Sequence, residues 1–298
     1  MSASINGNMV GGGASLPTTP AAALLDAAHP NELVTLGGGG VGATAPLSVI
    51  AEALVAPELA LRRYPAGVST ALLWECNEAA SPLASTGSVA CNLANAGAAV
   101  FDFVDPQSSL DGGAIHFTGG ATSEVQSAAG IYPNAATTTS VTMWAVINIH
   151  TMPTGFSAGS ILCRDYRAPG SAWADPYCTA LFVRASGVLA GTGAFGGGPT
   201  YDEIASSAGV VVVNKQHLVG LSYDGTNLRI WVDGVRVGNK AVASPLTWGS
   251  AGTWHLGSSG NNDLLNGVVI RAGVENAAWD RADWALAYRR LVGTTSSL

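Results

Sequence analysis

The sequence predicts an all-β protein, either a sandwich or a barrel of antiparallel strands, preceded by an extended arm and ended by one short helix. Two observations support this fold class. The 298 residues include 38 glycines and only 11% charged residues, a composition that suits short strands and tight turns better than long helices. Apolar and polar residues also alternate between turn signals that recur about every 8 to 12 residues, as in sandwiches and barrels.

The arm comprises residues 1–66. This segment contains Gly11–Gly13, the run Gly37–Gly40 and six prolines, and it lacks Trp and Phe. Glycine and proline at this density interrupt regular elements, so the segment is not expected to form a core of its own. We expect two short helices within it, over residues 21–28 and 47–61. The folded domain is accordingly predicted to cover residues 67–298.

The strands of this domain follow from period-two alternation. Val141–Ile149 alternates in a way that predicts a strand with one buried face. Val210–Val213 is a continuous apolar run and predicts a buried strand. Residues 217–237 predict a three-stranded meander, because the turn Asp224–Asn227 and the two-residue hairpin signal Asp233-Gly234 separate three alternating segments.

The C-terminal region predicts the helix. Asp280 is a suitable N-cap, and Asp283 lies three residues later, the spacing of a capping box. Arg289 and Arg290 fall in the last turn, where positive charge opposes the negative end of the helix dipole, and Gly293 ends the helix. Four apolar residues at helical spacing form one stripe for packing: Trp284, Ala287, Tyr288 and Leu291.

Charge and cysteine usage exclude several function classes. The net charge is −7, and Lys215 and Lys240 are the only lysines, so a nucleic-acid-binding face is not expected. No apolar run is long enough to span a membrane, and the first ten residues do not resemble a signal peptide. The four cysteines lack zinc-ligand spacing; they are expected to be free buried thiols, with three disulfide pairings as the alternative: Cys76, Cys91, Cys163 and Cys178.

The meander carries a family resemblance. Residues 222–235 read SYDGTNLRIWVDGV, and WHLG at 254–257 and LNGVVIRAGV at 265–274 follow before the helix. This order of motifs resembles the concanavalin A-like lectin/glucanase superfamily and, within it, the laminin-G-like domains. Leu72–Glu75 and Ala114–Gly119 resemble two earlier strands of that pattern. The likeness covers about residues 70–293 and implies a two-sheet jelly roll of about a dozen strands.

The resemblance also suggests a function. Laminin-G-like sandwiches occur as structural or adhesive modules of tailed-phage virions, in head decoration, tail or fibre proteins. We therefore expect a virion component that is assembled in the host cytoplasm, docks on neighbouring subunits through residues 1–66 and forms a homo-oligomer. The alternative is a stand-alone carbohydrate-binding module, and the two roles are compatible.

Two candidate sites accompany these expectations. Aromatic residues in or near predicted loops are candidates for stacking on sugars, unless they are buried against the arm or a neighbouring subunit: Trp173, Tyr177, Tyr201, Trp248 and Trp254. The remaining tryptophans examined, Trp144, Trp231, Trp279 and Trp284, are expected to serve packing. Calcium is the cofactor considered, because many laminin-G-like domains bind it and hard oxygen ligands cluster in one loop-like stretch: Asp102, Asp105 and Asp111.

Enzymatic function is not expected. The superfamily's glucanases use E-x-D-x-E on one strand, and this chain has no such motif; Asp202 and Glu203 are adjacent, so a strand directs them to opposite faces. Gly155–Gly159 matches G-x-S-x-G without the strand and helix that a nucleophile elbow requires. Gly191–Gly196 matches G-x-G-x-x-G, but Gly197, Gly198 and Pro199 follow and prevent the required helix.

Overall fold

The structure, a computed structural model, describes residues 33–36, 43–46, 70–105, 113–120, 123–133, 137–155, 158–165, 179–195, 201–248, 252–258 and 263–292. The chain divides into two compact units, Met1–Arg63 and Tyr64–Leu298. Sequence analysis placed a boundary at residue 66. No helix among the described residues is long and apolar enough to cross a membrane.

The first unit contains one antiparallel strand pair, β1 (Leu33–Leu36) and β2 (Ala43–Pro46). The sequence analysis predicted no strand here. The expectation rested on the density of glycine and proline, but β1 and β2 lie on either side of the run Gly37–Gly40, and β1 contains the β-branched residues Val34 and Thr35, which favour a strand. The helices predicted over 21–28 and 47–61 lie outside the described residues.

Among its described residues, the second unit contains the remaining strands and one α-helix, α1 (Arg281–Leu291). The strands are, in chain order, β3 (Thr70–Trp74), β4 (Ala94–Asn95), β5 (Val100–Phe103), β6 (Ala114–Thr118), β7 (Val125–Gln126), β8 (Thr137–Thr138), β9 (Val141–Ile149), β10 (Ala158–Asp165), β11 (Thr179–Arg184), β12 (Val188–Ala194), β13 (Tyr201–Ala205), β14 (Gln216–Tyr223), β15 (Asn227–Val232), β16 (Val235–Ala241), β17 (Leu246–Thr247), β18 (Thr253–Leu256) and β19 (Asn266–Glu275).

These strands form two large antiparallel sheets. One has seven strands in the order β13-β12-β11-β10-β18-β7-β4, and the other has the order β16-β15-β14-β9-β19-β6-β5, with β3 also paired to β19. β17 and β8 form a separate short pair. The main hydrophobic core draws on both large sheets, with Leu162 and Leu181 from the first and Met143 and Val269 from the second. The predicted all-β sandwich is thereby confirmed.

The predicted strand Val141–Ile149 is present as β9, but all nine of its residues are buried. The prediction of one buried face was wrong. Met143, Ala145 and Ile147 face the core between the sheets, and Trp144 and Val146 belong to a second apolar cluster on the opposite face. That face is covered because the C-terminal helix packs on it, a tertiary contact that the strand's own sequence does not reveal.

The apolar run Val210–Val213 is a turn rather than the buried strand that we predicted. Val212 and Val213 are 47% and 38% exposed. Only Val211 is buried, where its amide donates to the carbonyl of Gly187. A short apolar run is compatible with a buried strand or with a turn, because apolarity without alternation does not identify a strand.

The meander is confirmed as β14, β15 and β16. Val219 and Leu221 on β14 and Ile230 on β15 face the core, as their alternation predicted. Asp233 and Gly234 have φ of 52° and 79°, the left-handed conformation that both central positions of this hairpin turn require. At the other turn, Asp224 Oδ1 accepts hydrogen bonds from the amides of Thr226 and Asn227.

Helix α1 begins and packs as predicted. Asp280 accepts hydrogen bonds from the amides of Ala282 and Asp283, and the Asp283 side chain accepts from the Asp280 amide in return. Trp284, Ala287 and Leu291 are buried against the outer face of the eight-stranded sheet, with Tyr288 half-buried beside them. The capping box therefore determines where α1 begins, and the apolar stripe of α1 covers the outer face of the sheet.

Replacing Asp280 by alanine is expected to lower the free energy of unfolding by about 1 kcal/mol, the usual cost of losing an N-cap. Urea denaturation measures this change. Arg281→Ala is the matched control, because it removes an exposed neighbouring side chain and leaves both capping bonds in place. Equal losses in the two variants would show that the Asp280 carboxylate does not stabilise the helix.

Candidate functional site

The candidate site lies at one end of the seven-stranded sheet. β10 ends and β18 begins there, with Arg164 opposite Trp254 and Asp165 opposite Thr253. β11 begins at the same end, since Thr179 pairs with Arg164. We call this end the tryptophan rim and define it by five residues: Tyr132, Arg164, Trp248, Gly252 and Trp254.

Arg164 is the central side chain of the rim. It is only 1% exposed, and its Nε donates to the carbonyl oxygen of Tyr132 at 2.7 Å. Trp254 Nε1 donates to the same oxygen at 2.8 Å. The Arg164 guanidinium carbon lies 5.4 Å from the centre of the Trp248 ring, within cation–π range. The guanidinium thus lies between the Trp248 indole and the Tyr132 carbonyl at the edge of the core.

Two buried hydrogen-bond donors at the rim have no partner among the described residues. Among the described residues, neither Arg164 Nη1 nor Trp248 Nε1 has a hydrogen-bond partner, although both atoms are buried. A buried donor without a partner costs about 1–3 kcal/mol, so both atoms favour an acceptor. A glycine keeps the space beside Nη1: a Cβ at Gly252 would lie 2.5 Å from that atom.

The charge of the rim follows from this burial. Burial lowers the pKa of Arg164 to about 10, against smaller opposing effects of the Cys163 and Cys91 sulfurs. The guanidinium is therefore still positively charged at neutral pH. The rim therefore holds a buried positive charge, and a group with this pKa is poorly suited to proton transfer near pH 7.

The structure places the predicted sugar-binding aromatic residues in different settings. Trp248 and Trp254 are 4% and 0% exposed, and Trp254 lies within β18 rather than in a loop. Both rings are covered by the protein's own core, as they approach each other and Trp74, so they present no face for stacking on a sugar. Their indoles shape the rim from within.

Of the other three aromatic candidates, only Tyr201 lies among the described residues. Tyr201 begins β13, where it pairs with Ala194 at the end of β12. Trp173 and Tyr177 lie outside the described residues, in the connection that leaves β10 directly after Arg164 and Asp165. The sugar-binding role of Trp173, Tyr177 and Tyr201 stays a prediction.

The predicted calcium ligands are not assembled by the described residues. Asp102 is exposed with φ of 52°, whereas Asp105 is 3% exposed and accepts a hydrogen bond from Asn148 Nδ2 at 2.7 Å. Asp111 lies outside the described residues. Within the described part of the chain, no three His, Cys, Asp or Glu side chains group as a metal site. Calcium binding by Asp102, Asp105 and Asp111 stays a prediction.

Asp105 belongs to a cluster that the sequence analysis missed. The carboxylate lies 3.7 Å from His150 Nε2, and the His150 ring lies 5.3 Å from the His116 ring. Phe103 stacks on His116 at 4.5 Å. The only available signal was that His116 and His150 lie in or next to strands; their pairing depends on the sheet order β9-β19-β6, which alternation does not determine.

This cluster predicts an acid-sensitive fold. Burial, and secondarily the nearby charge of His150, lower the pKa of His116 from its ordinary 6.5. The unfolded chain therefore takes up the proton first as the pH falls, and the stability contribution present above pH 6.5 is lost below it. Urea denaturation at pH 7.5 and pH 5 should show a larger decrease for the wild type than for His116→Phe, which keeps the stacking on Phe103. Parallel profiles would contradict this assignment.

The motifs that resemble catalytic sites occupy sheet positions. Gly191 and Gly193 lie in β12 rather than at the start of a helix, and a Cβ at either would lie 2.7 Å from a core leucine, Leu221 or Leu246. They serve close packing between the sheets. Asp202 and Glu203 pair with different cations, Lys240 and Arg184, as expected for side chains on opposite faces.

The fold is shared with solved binding domains. No protein-family model and no curated protein matches the sequence. The ligand-binding domain of botulinum neurotoxin serotype D in complex with N-acetylneuraminic acid is similar in structure, with a TM-score of 0.58 and 9% identity over 75% of this chain and 51% of that one. The binding domain of botulinum neurotoxin DC has been solved with SialylT (TM-score 0.57, 13% identity, 75% and 52% covered) and with rat synaptotagmin II (TM-score 0.56, 14% identity, 75% and 52% covered).

This chain therefore spans about half the length of those domains. At 9–14% identity the likeness concerns the arrangement of strands. It agrees with the antiparallel sheets described above: the second unit of this chain is a jelly-roll β-sandwich.

Proposed function

We propose that this protein is a non-catalytic, lectin-like recognition module of the laminin-G-like type that binds a cell-surface glycan at the tryptophan rim. The observation that carries the proposal is the order of strand ends at this end of the sheet: Tyr201 begins β13 there, and the connection that contains Trp173 and Tyr177 follows β10. Aromatic residues at such strand ends are candidates for stacking on sugars.

The structural neighbours support the proposal, because two of them were solved with sugars. The third was solved with a protein, so a protein receptor is the competing ligand. A glycoside hydrolase is not favoured, because the sequence lacks the E-x-D-x-E motif with which the superfamily's glucanases supply their pair of carboxylates.

A glycan array with the full-length protein tests this function. We expect binding to a restricted set of glycans, with at least tenfold weaker binding in Trp173→Ala, Tyr177→Ala or Tyr201→Ala, since base- or sugar-type stacking contributes on the order of 1–3 kcal/mol. Tyr288→Ala is the matched control, because this half-buried aromatic residue lies on α1, against the other sheet. Silence across the array, or equal losses in all four variants, would refute the proposal.

We also propose a role for the first unit. Met1–Arg63 is a unit separate from the sandwich, and its sequence is rich in glycine and proline; both features are compatible with an assembly arm that docks on neighbouring subunits of a virion, with the sandwich displayed outward. Deleting residues 1–60 is expected to abolish incorporation into particles while the sandwich still folds. Undisturbed assembly of the truncated protein would exclude the arm as an assembly element.

A further inference from the structure

We propose that His217 is a pH-sensitive switch that releases the turn Val210–Val213 when its ring takes up a proton. We call Val210–Val213 the valine turn. The inference goes beyond glycan binding and does not depend on it, because His217 lies in β14 of the eight-stranded sheet and not at the tryptophan rim. Both hydrogen-bond partners of the ring lie in the continuous described segment 201–248.

The hydrogen bonds of His217 determine which ring nitrogen carries the proton. The Val212 amide donates to His217 Nε2 at 3.0 Å, and an amide nitrogen can only donate, so Nε2 is unprotonated. His217 Nδ1 lies 2.8 Å from Asp233 Oδ2 and donates its proton to that carboxylate. The ring is therefore neutral, and Nε2 is the nitrogen that takes up a further proton in acid.

A proton on Nε2 breaks the bond to the turn and keeps the bond to the carboxylate. Both nitrogens of an imidazolium are donors, so Nε2–H would face the Val212 N–H and leave that amide without its acceptor. Nδ1–H would still donate to Asp233, now within a charged pair, and charge-assisted hydrogen bonds are the stronger kind. His217 thus stays in place while the valine turn loses its contact with the ring.

The charged groups around His217 are compatible with this protonation. The ring is 1% exposed, so Asp233 rather than water stabilises the added charge, and Lys215 Nζ, 4.0 Å from the same carboxylate oxygen, opposes it. Tyr288 of α1 also faces Asp233; burial, and secondarily that charge, raise the pKa of its phenol, so Tyr288 stays neutral in acid. Strand β9, which pairs with β14, and residues 185–187 beside the valine turn contain no charged side chain.

Little besides His217 holds the middle of the valine turn. The amides of Val211 and Asn214 donate to backbone carbonyls, which do not titrate, and they hold the two sides of the pair Val212 and Val213. That pair is 47% and 38% exposed, so burial contributes little to its position. Segments with few buried apolar contacts open at a low free energy. Loss of the bond to His217 therefore loosens Val212 and Val213 without unfolding the sheet.

Amide hydrogen exchange followed by ¹⁵N NMR tests the switch in the full-length protein. Between pH 7.5 and pH 5 we expect the His217 ring to titrate. Over the same range the protection of the Val212 amide, corrected for the intrinsic pH dependence of exchange, should fall about tenfold, the factor that one net hydrogen bond supports. The two changes should share one midpoint. The Leu218 amide, which donates to the other oxygen of Asp233, is the internal control and should keep its protection.

Two variants separate the switch from a general loosening in acid. Asp233→Asn suits the left-handed turn position and removes the charge that stabilises the protonated ring, so the His217 and Val212 midpoints should move together to lower pH. His217→Gln does not titrate and its amide oxygen can accept from Val212, so the protection should stay constant with pH. His255→Gln, in β18 of the other sheet, is the matched control and should leave the wild-type response intact.

Three results would overturn the inference. The first is a His217 ring that does not titrate between pH 7.5 and pH 5, and the second is a Val212 amide whose protection stays constant while the ring titrates. The third is an equal loss of protection at Leu218, which would show that the whole start of β14 loosens. If His217→Gln does not fold, the shared midpoint in the wild type and its shift in Asp233→Asn still decide the question.

Discussion

Replacing Trp284 by alanine is expected to lower the free energy of unfolding by about 3–5 kcal/mol, the range for removal of a large buried aromatic side chain. Trp284 is fully buried; it stacks on Trp231 at 5.5 Å and meets Trp279 edge-on at 5.0 Å. It is also the main anchor of α1 on the eight-stranded sheet. Denaturant unfolding followed by near-ultraviolet circular dichroism measures the loss.

A second variant tests the same contact by a substitution in β14, the strand that faces Trp284. A Cβ at Gly220 would lie 1.9 Å from Trp284 Cη2, so Gly220→Ala is expected to displace the indole and destabilise the fold by overpacking. Tyr288→Ala, a half-buried residue of the same helix, is the control and should cost less. A Trp284→Ala loss no larger than the ~1 kcal/mol expected for the cap variant would show that the helix adds little to the sandwich.

Glu275 is expected to make the protein less stable as the pH rises from about 4.5 to 7. Burial raises the pKa of this carboxyl from 4.5 to about 7, while hydrogen bonds with Trp144 and Thr70 partly oppose the shift. The folded state therefore holds a proton that the unfolded chain has already released. The associated stability is complete below the unfolded pKa and is lost as the pH rises through the folded one, by about 3 kcal/mol in all.

Glu275→Gln tests this dependence, because its amide oxygen can still accept from Trp144 Nε1 and cannot ionise. Stability measured by urea unfolding at pH 4, 5.5, 7 and 8 should decline less steeply in the variant than in the wild type. Glu203→Gln, which removes a partly exposed carboxylate on the other sheet, is the control. Identical slopes for wild type and Glu275→Gln would contradict the assignment. His116 has the opposite pH dependence, because its lowered pKa makes the stability fall as the pH falls. The variant His116→Phe removes that contribution.

Local signals predicted local structure well. The capping box of Asp280 and Asp283, the hairpin turn at Asp233-Gly234 and the alternation of β14 and β15 each depend on residues within a few positions of one another, and each is present in the structure. These elements are determined by backbone preferences and short hydrogen bonds, which act in the same way wherever the segment lies.

Long-range features could not be predicted in this way. The second buried face of β9 is covered by a helix that begins more than 130 residues later in the chain. The rim forms because β10 pairs with β18, which places Arg164 opposite Trp254, and because Arg164 donates a hydrogen bond to the carbonyl of Tyr132. Trp248 and Trp254 illustrate the difficulty: both were predicted to lie in or near loops, but long-range packing buries both rings. Arginine within an apolar strand was the one available signal for the rim, since Arg164 interrupts the run Ile161–Cys163.

The burial of the tryptophans has a practical consequence for spectroscopy. Seven of the eight, all those among the described residues, are at most 4% exposed: Trp74, Trp144, Trp231, Trp248, Trp254, Trp279 and Trp284. Collisional quenchers such as iodide do not reach buried indoles in the folded state. Any emission that iodide quenches in the native protein is therefore assigned to Trp173, the one tryptophan outside the described residues. Iodide quenching of the intrinsic fluorescence consequently reports on the surroundings of this single residue, without labelling and without substitution.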